Sequence, residues 1–185
     1  MIETAQVKYD GVAMLLHWII AVLMIFMIIF GEDLMGEKGE AGEAAAGTFL
    51  PSVHVSIGVS ILLLTVLRLV WRLMNPPPPY PASMKPWEVT LSKVMHGSFY
   101  LLMIGIPLTG WLAFADFIRE EPAMTGVSIF GLFGVPAAPL LGEVAKDIHE
   151  IGSNVAMVLV ILHVLAALKH QFIDGDGIFR RMLPG

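Results

Sequence analysis

The chain has 185 residues, 56% of them hydrophobic and 15% charged, with a formal net charge of -5 at pH 7. An average soluble domain is nearer half apolar and a quarter charged, so this composition points to a membrane protein and excludes intrinsic disorder. The acidic balance without a basic run argues against nucleic acid as a partner. The absence of cysteine removes disulfides, thiolate zinc sites, cysteine-ligated iron–sulfur clusters and c-type haem attachment.

Four apolar stretches follow in chain order: Val12–Phe30, Val53–Trp71, Val94–Ala115 and Ile148–Leu168. Each has about the twenty residues with which a helix crosses a hydrocarbon core. The expected fold is all-α, an integral membrane four-helix bundle forming a single domain over residues 1–185. The first stretch reads as a retained span, because it is too long for a signal peptide and lacks a basic leader. Asn75–Tyr80, with four prolines, reads as a stiff polyproline II strap that ends the second helix. Pro122–Leu141 is apolar but broken by Gly and Pro, and is expected to lie along the membrane interface.

Lys8, Arg68, Arg72, Lys85, Lys93, Lys169, Arg180 and Arg181 fall on one side of this arrangement. Lys38, Arg119 and Lys146 fall on the other. The positive-inside bias therefore makes both termini cytoplasmic. The opposite side is acidic, with Glu32, Asp33, Glu37, Glu40 and Glu43 in the first loop and Asp116, Glu120, Glu121, Glu143, Asp147 and Glu150 around the second.

The chemistry resides in the histidines: His17, His54, His96, His149, His163 and His170. Imidazoles in spanning helices need partners, and six of them without evident carboxylate partners at membrane depth exceed what packing alone requires. His163 follows His149 by fourteen residues, which is about 21 Å along a helix and within about 40° of the same face. One face of the fourth helix thus carries imidazoles at two depths. His17 on the first helix lies at the inner depth and His54 on the second at the outer depth. Two bis-imidazole sites follow, His17 with His163 and His54 with His149. Two histidines are too few for a usual zinc site. Haem iron needs only two axial ligands, and a helical bundle core suits such ligation. Gly58, Ala21, Gly152 and Ala156 beside these histidines leave room for a flat macrocycle or, equally, for close helix packing. Arg68 and Arg72 return to the face of His54 roughly 21 and 27 Å lower, where guanidinium donors suit haem propionates.

Leu16-His17-Trp18, His54-Val55-Ser56-Ile57-Gly58, Arg68-Leu69-Val70-Trp71-Arg72, His149-Glu150, His163 and Arg181-Met182-Leu183-Pro184 together resemble the bacterial cytochrome b561 family. This family comprises four-helix inner-membrane di-haem proteins and includes a superoxide oxidase type. The resemblance spans nearly the whole chain. It implies two non-covalent b haems with the pairing given above, a bacterial inner-membrane location in contact with lipid, and electron exchange with ubiquinone. His96 and His170 match family histidines near the haem and quinone region.

Two axial imidazoles leave iron no open position, which favours outer-sphere one-electron transfer over oxygen activation at the metal. Quinone reduction takes up protons as well as electrons, and His170 lies seven residues beyond His163 on nearly the same face, roughly 10 Å deeper. It is the expected proton donor there. The resulting expectation is an electron-transfer protein joining a small outer donor, such as superoxide, to ubiquinone. The alternative is a haem b anchor subunit that relays electrons to quinone from a partner dehydrogenase or hydrogenase. A haem-free structural or transport bundle is the third class, and a purified protein without a Soret band would favour it.

Overall fold

The computed structural model describes residues 8–35, 47–120, 122–136, 138 and 143–183. Four long helices carry the fold: α1 (Gly11–Met35), α2 (Phe49–Met74), α3 (Pro86–Glu120) and α4 (Glu143–Lys169). All four are long and apolar enough to cross a membrane. They overrun the apolar stretches read from sequence at both ends. α3, with 35 residues, is about 52 Å long, well beyond a hydrocarbon core of about 30 Å.

Local chemistry sets the helix ends. Asp10 accepts hydrogen bonds from the backbone N–H groups of Val12 and Ala13, both at 3.0 Å, and so caps α1. α2 stops at Asn75, whose N–H reaches Trp71 O at 2.8 Å, because the prolines that follow cannot continue a helix. α3 opens on Pro86, with Glu88 accepting from the Lys85 N–H at 2.9 Å. α4 runs into a single π turn, His170–Asp174, and ends at Gly175 with a left-handed φ of 64°.

α1 packs on α2, α3 on α4, and α2 meets α3. The buried centre is small: Ile20, Ile61 and Met103, backed by Leu23, Met27, Ile57 and Phe99. The outer surface is instead richly apolar, with Leu63, Leu101, Val144 and Ile151 all more than half exposed. Apolar side chains facing outward along spanning helices are what a lipid solvent demands.

Cross-links separate the two ends of the bundle. At the first, the tail closes over the N-terminus: Tyr9 N–H donates to Arg181 O, Trp18 Nε1 to Met182 O and Arg181 Nη1 to Pro79 O. Trp71 Nε1 donates to Asp10 there, and Lys169 pairs with Glu88. At the second end lies the segment read as an interfacial loop. It forms a 3-10 turn (Pro122–Gly126) and a two-stranded ribbon, β1 (Ser128–Ile129) with β2 (Phe133–Gly134). Two serines of α2 hold the ribbon: Ser52 Oγ accepts from Ser128 N–H at 3.0 Å and Ser56 Oγ from Phe130 N–H at 2.8 Å. The acidic residues Glu37, Glu40 and Glu43, with Lys38, Glu121, Leu141 and Pro184, lie outside the described residues. So do the side chains of Asp116 and Glu120.

Candidate haem-binding sites

The four helices bring the histidines together in two groups. At the ribbon end, the rings of His54 and His149 lie 6.1 Å apart, centre to centre. Nearer the tail end, His17 and His163 lie 6.3 Å apart. A metal held about 2 Å from a nitrogen of each of two imidazoles puts the ring centres roughly 6 Å apart, so both separations fit an iron between the rings.

The outer pair is also in the right protonation form. His54 Nδ1 lies 3.1 Å from Gly31 O, and His149 Nδ1 lies 2.8 Å from Ile106 O. A carbonyl only accepts, so both Nδ1 atoms carry hydrogen and each Nε2 keeps a lone pair for a metal. Local sequence makes this possible. Ile106 O accepts from Thr109 Oγ1 at 3.0 Å as well as from His149. Gly110 then lets the ring approach: a Cβ there would sit 2.8 Å from His149 Cε1 and Nδ1. Gly31, Ile106 and Gly110 escaped the sequence reading. An isolated glycine inside a helical pattern was the available signal for Gly110.

The inner group differs. Arg68 Nη1 lies 2.9 Å from His17 Nδ1, and a guanidinium only donates, so Nδ1 of His17 is the acceptor. Arg68 therefore stands against an imidazole here, which puts the hydrogen of neutral His17 on Nε2. Ligation through Nε2 would need Arg68 to release Nδ1 and turn to an anionic group, such as the propionate that sequence spacing expects there. His163 also has a second histidine beside it, His96, at 5.7 Å and nearly perpendicular. His96 Nδ1 donates to Ser92 O at 2.6 Å. Phe99 packs edge-on to His163 at 5.5 Å.

The small residues divide between the two roles that sequence left open. Nothing lies within 4 Å of a Cβ built at Gly58, which leaves space one turn from His54. Gly152 and Ala156 are packing residues: a Cβ on Gly152 would meet Ile106 Cγ1 at 3.1 Å, and Ala156 is 1% exposed.

Arg72 lines a small cleft at the tail end together with Tyr9, Arg68, Trp71 and Tyr100. His170 lies near the same end and is held by acids. Its Nδ1 is 2.6 Å from Asp176 Oδ2 and 3.1 Å from Asp174 Oδ2, and the Asp176 side chain is 4% exposed. Ile178 N–H also donates to Asp176. Lys169 completes the cluster, bonded to both Asp174 and Glu88. The three ligand atoms of His170, Asp174 and Asp176 lie within 4.8 Å of one another, a spacing that a cation could bridge, although the Lys169 ammonium already serves Asp174. Asp174 and Asp176 were not singled out from sequence, because the turn that folds them back is set by Gly175.

The sequence is similar to known proteins over nearly its whole length. A family model described as prokaryotic cytochrome b561 matches residues 8–185. Cytochrome b561 homolog 2 of Escherichia coli (strain K12) is 30% identical over 181 residues, covering 95% of this chain and 91% of its own length. The probable superoxide oxidase CybB of Yersinia pestis is 26% identical, with 96% of each chain covered. Cytochrome b562 of Cereibacter sphaeroides is 26% identical, covering 97% of this chain and 98% of its own.

Proposed function

The chain belongs to the prokaryotic cytochrome b561 family, and on that premise we propose that it is a di-haem b protein exchanging electrons between a small donor and ubiquinone across the membrane. It is a multi-pass electron-transfer protein of the bacterial inner membrane, from a family whose members bind haem b. The number of haems, their ligands, the donor and the quinone are the proposal.

The observation that carries it is the pairing of imidazoles at two depths, 6.1 and 6.3 Å between ring centres. His54 and His149 would hold the outer haem, and His17 and His163 the inner one. When bound, haem b would supply a one-electron iron couple. The chain's own residues do the rest. Gly31 O and Ile106 O set the tautomers of the outer ligands, Gly110 admits His149, and Gly58 leaves space beside His54. Arg68 and Arg72 supply positive charge at the inner level. His96 is proposed as a neighbour of the inner pair and not a ligand, its ring 5.7 Å from that of His163 and nearly perpendicular to it.

The tail end would be cytoplasmic, since Lys8, Arg68, Arg72, Lys85, Lys93, Lys169, Arg180 and Arg181 gather there. His170 would deliver protons to quinone at that end. Its Nδ1 is engaged by Asp176, which leaves Nε2 for proton exchange. Superoxide is the donor suggested by the similarity to a probable superoxide oxidase. A reduced-minus-oxidised spectrum with a haem-to-protein ratio tests the core of the reading. A ratio of two supports it, and a ratio of one or none overturns it. Copurification of a subunit carrying iron–sulfur clusters would instead favour the anchor-subunit alternative.

A further inference from the structure

We propose that the cleft bounded by Tyr9, Arg68, Arg72 and Tyr100 is a built seat for one carboxylate, and that its occupant is a propionate of the haem held at the His17–His163 level. The inference rests on the di-haem reading above. Spacing along the sequence brings the two arginines to this level; the two tyrosines join them only in the folded chain.

The first support is an unmatched group. Tyr100 lines the cleft, and its hydroxyl oxygen is buried without a hydrogen-bond partner among the described residues. Leaving a buried hydroxyl unpaired costs about 1–3 kcal/mol, so a hydroxyl retained in such a place implies a partner that arrives with a ligand. A phenol hydroxyl beside two guanidinium groups suits an anionic oxygen acceptor.

Charge and size narrow the occupant. Arg68, Arg72 and Arg181 all act electrostatically on Tyr9. Burial pushes the Tyr9 hydroxyl above its ordinary range, the arginines opposing, so Tyr9 stays a neutral donor. The nearest carboxylate in sequence, Asp10, is committed to the start of α1 and to Trp71. The interior volume is about 20 Å³, where one water needs about 10–15 Å³. That space takes one or two small polar atoms, such as carboxylate oxygens, and no ring. The cleft also adjoins the inner pair. Arg68 touches His17, and Phe99, the neighbour of Tyr100, packs on His163. A lipid phosphate offers the same anionic oxygens from a second source, but it is bulkier and would arrive from outside the bundle.

The test uses the purified full-length holoprotein in nanodiscs of phosphatidylcholine, with and without phosphatidylglycerol. Excess apomyoglobin serves as haem acceptor, and His17→Ala identifies the inner-haem signal. Tyr100→Phe is expected to speed loss of the inner haem about tenfold or more, the worth of a hydrogen bond to a charged group. Loss of the outer haem should be unchanged in both lipids, and the inner-haem midpoint should fall, because a donor to the propionate has been removed. Arg72→Gln should act with the same selectivity. Unchanged inner-haem loss and midpoint in Tyr100→Phe overturn the seat, as does equal acceleration of both haems, which marks general loosening. A difference confined to phosphatidylglycerol discs assigns the seat to a net-anionic lipid headgroup and overturns the propionate. A haem-to-protein ratio below two in the unmodified protein defeats the underlying di-haem reading, and the seat with it, whatever Tyr100 does.

Discussion

His149 Nδ1 donates to Ile106 O at 2.8 Å, across the α3–α4 contact and beside Pro107 in the sequence. The same approach brings the His149 ring so close to Gly110 that a Cβ there would lie 2.8 Å from two ring atoms. Gly110→Ala should therefore displace His149. Overpacking of this kind costs about 1–3 kcal/mol, equivalent to roughly a five- to hundredfold loss of outer-haem affinity. Optical titration of the purified variant should show the outer haem depleted and the inner haem kept. A variant with both haems at full occupancy would remove Gly110 from the site.

Ligation is tested at the four histidines directly. His54→Ala or His149→Ala should lose the outer haem, and His17→Ala or His163→Ala the inner one. His96→Ala should keep both, despite lying 5.7 Å from His163. Haem content and low-spin spectra decide it. Loss of the inner haem in His96→Ala with retention in His17→Ala would exchange their roles.

Topology follows from where the basic residues collect. Reporter fusions after Asn75 and at the C-terminus are expected to report cytoplasmic. Fusions between Met35 and Gly47 and after Gly142 are expected to report the opposite side. An outward C-terminus would break the proposed orientation and leave the four helices untouched.

The His170–Asp176 contact, 2.6 Å between Nδ1 and Oδ2, gives a kinetic prediction. His170→Ala should leave haem content and reduction by superoxide intact while slowing haem reoxidation by ubiquinone about tenfold or more, as expected for a lost proton donor. Asp176→Asn should slow the same half-reaction less, since the imidazole remains but its orientation is no longer held by a carboxylate. Rapid mixing separates the two half-reactions. Normal reoxidation in His170→Ala would take this residue out of the quinone site.

Much of this protein is legible along the chain because its solvent imposes a one-dimensional code. A backbone in hydrocarbon must bond to itself, so a run of about twenty apolar residues declares a spanning helix. Within such a run, imidazoles are conspicuous, and a fixed rise and rotation per residue give their depth and face. His17, His54, His149 and His163 could be paired on those grounds before any fold was known. Their neighbours could not. Gly110, Ile106 and Gly31 act through backbone atoms and an absent side chain, which leave no mark in composition or periodicity. Asp176 reaches His170 only because the chain turns back at Gly175. Arg68 was placed at the right depth by helix arithmetic, yet whether it faces a carboxylate or His17 depends on the azimuth of α1 against α2. The Tyr9–Tyr100 cleft likewise exists only where α1, α2 and α3 meet. Depth is a property of one helix and its sequence states it; lateral neighbours belong to the packing of several, and only the tertiary structure decides them.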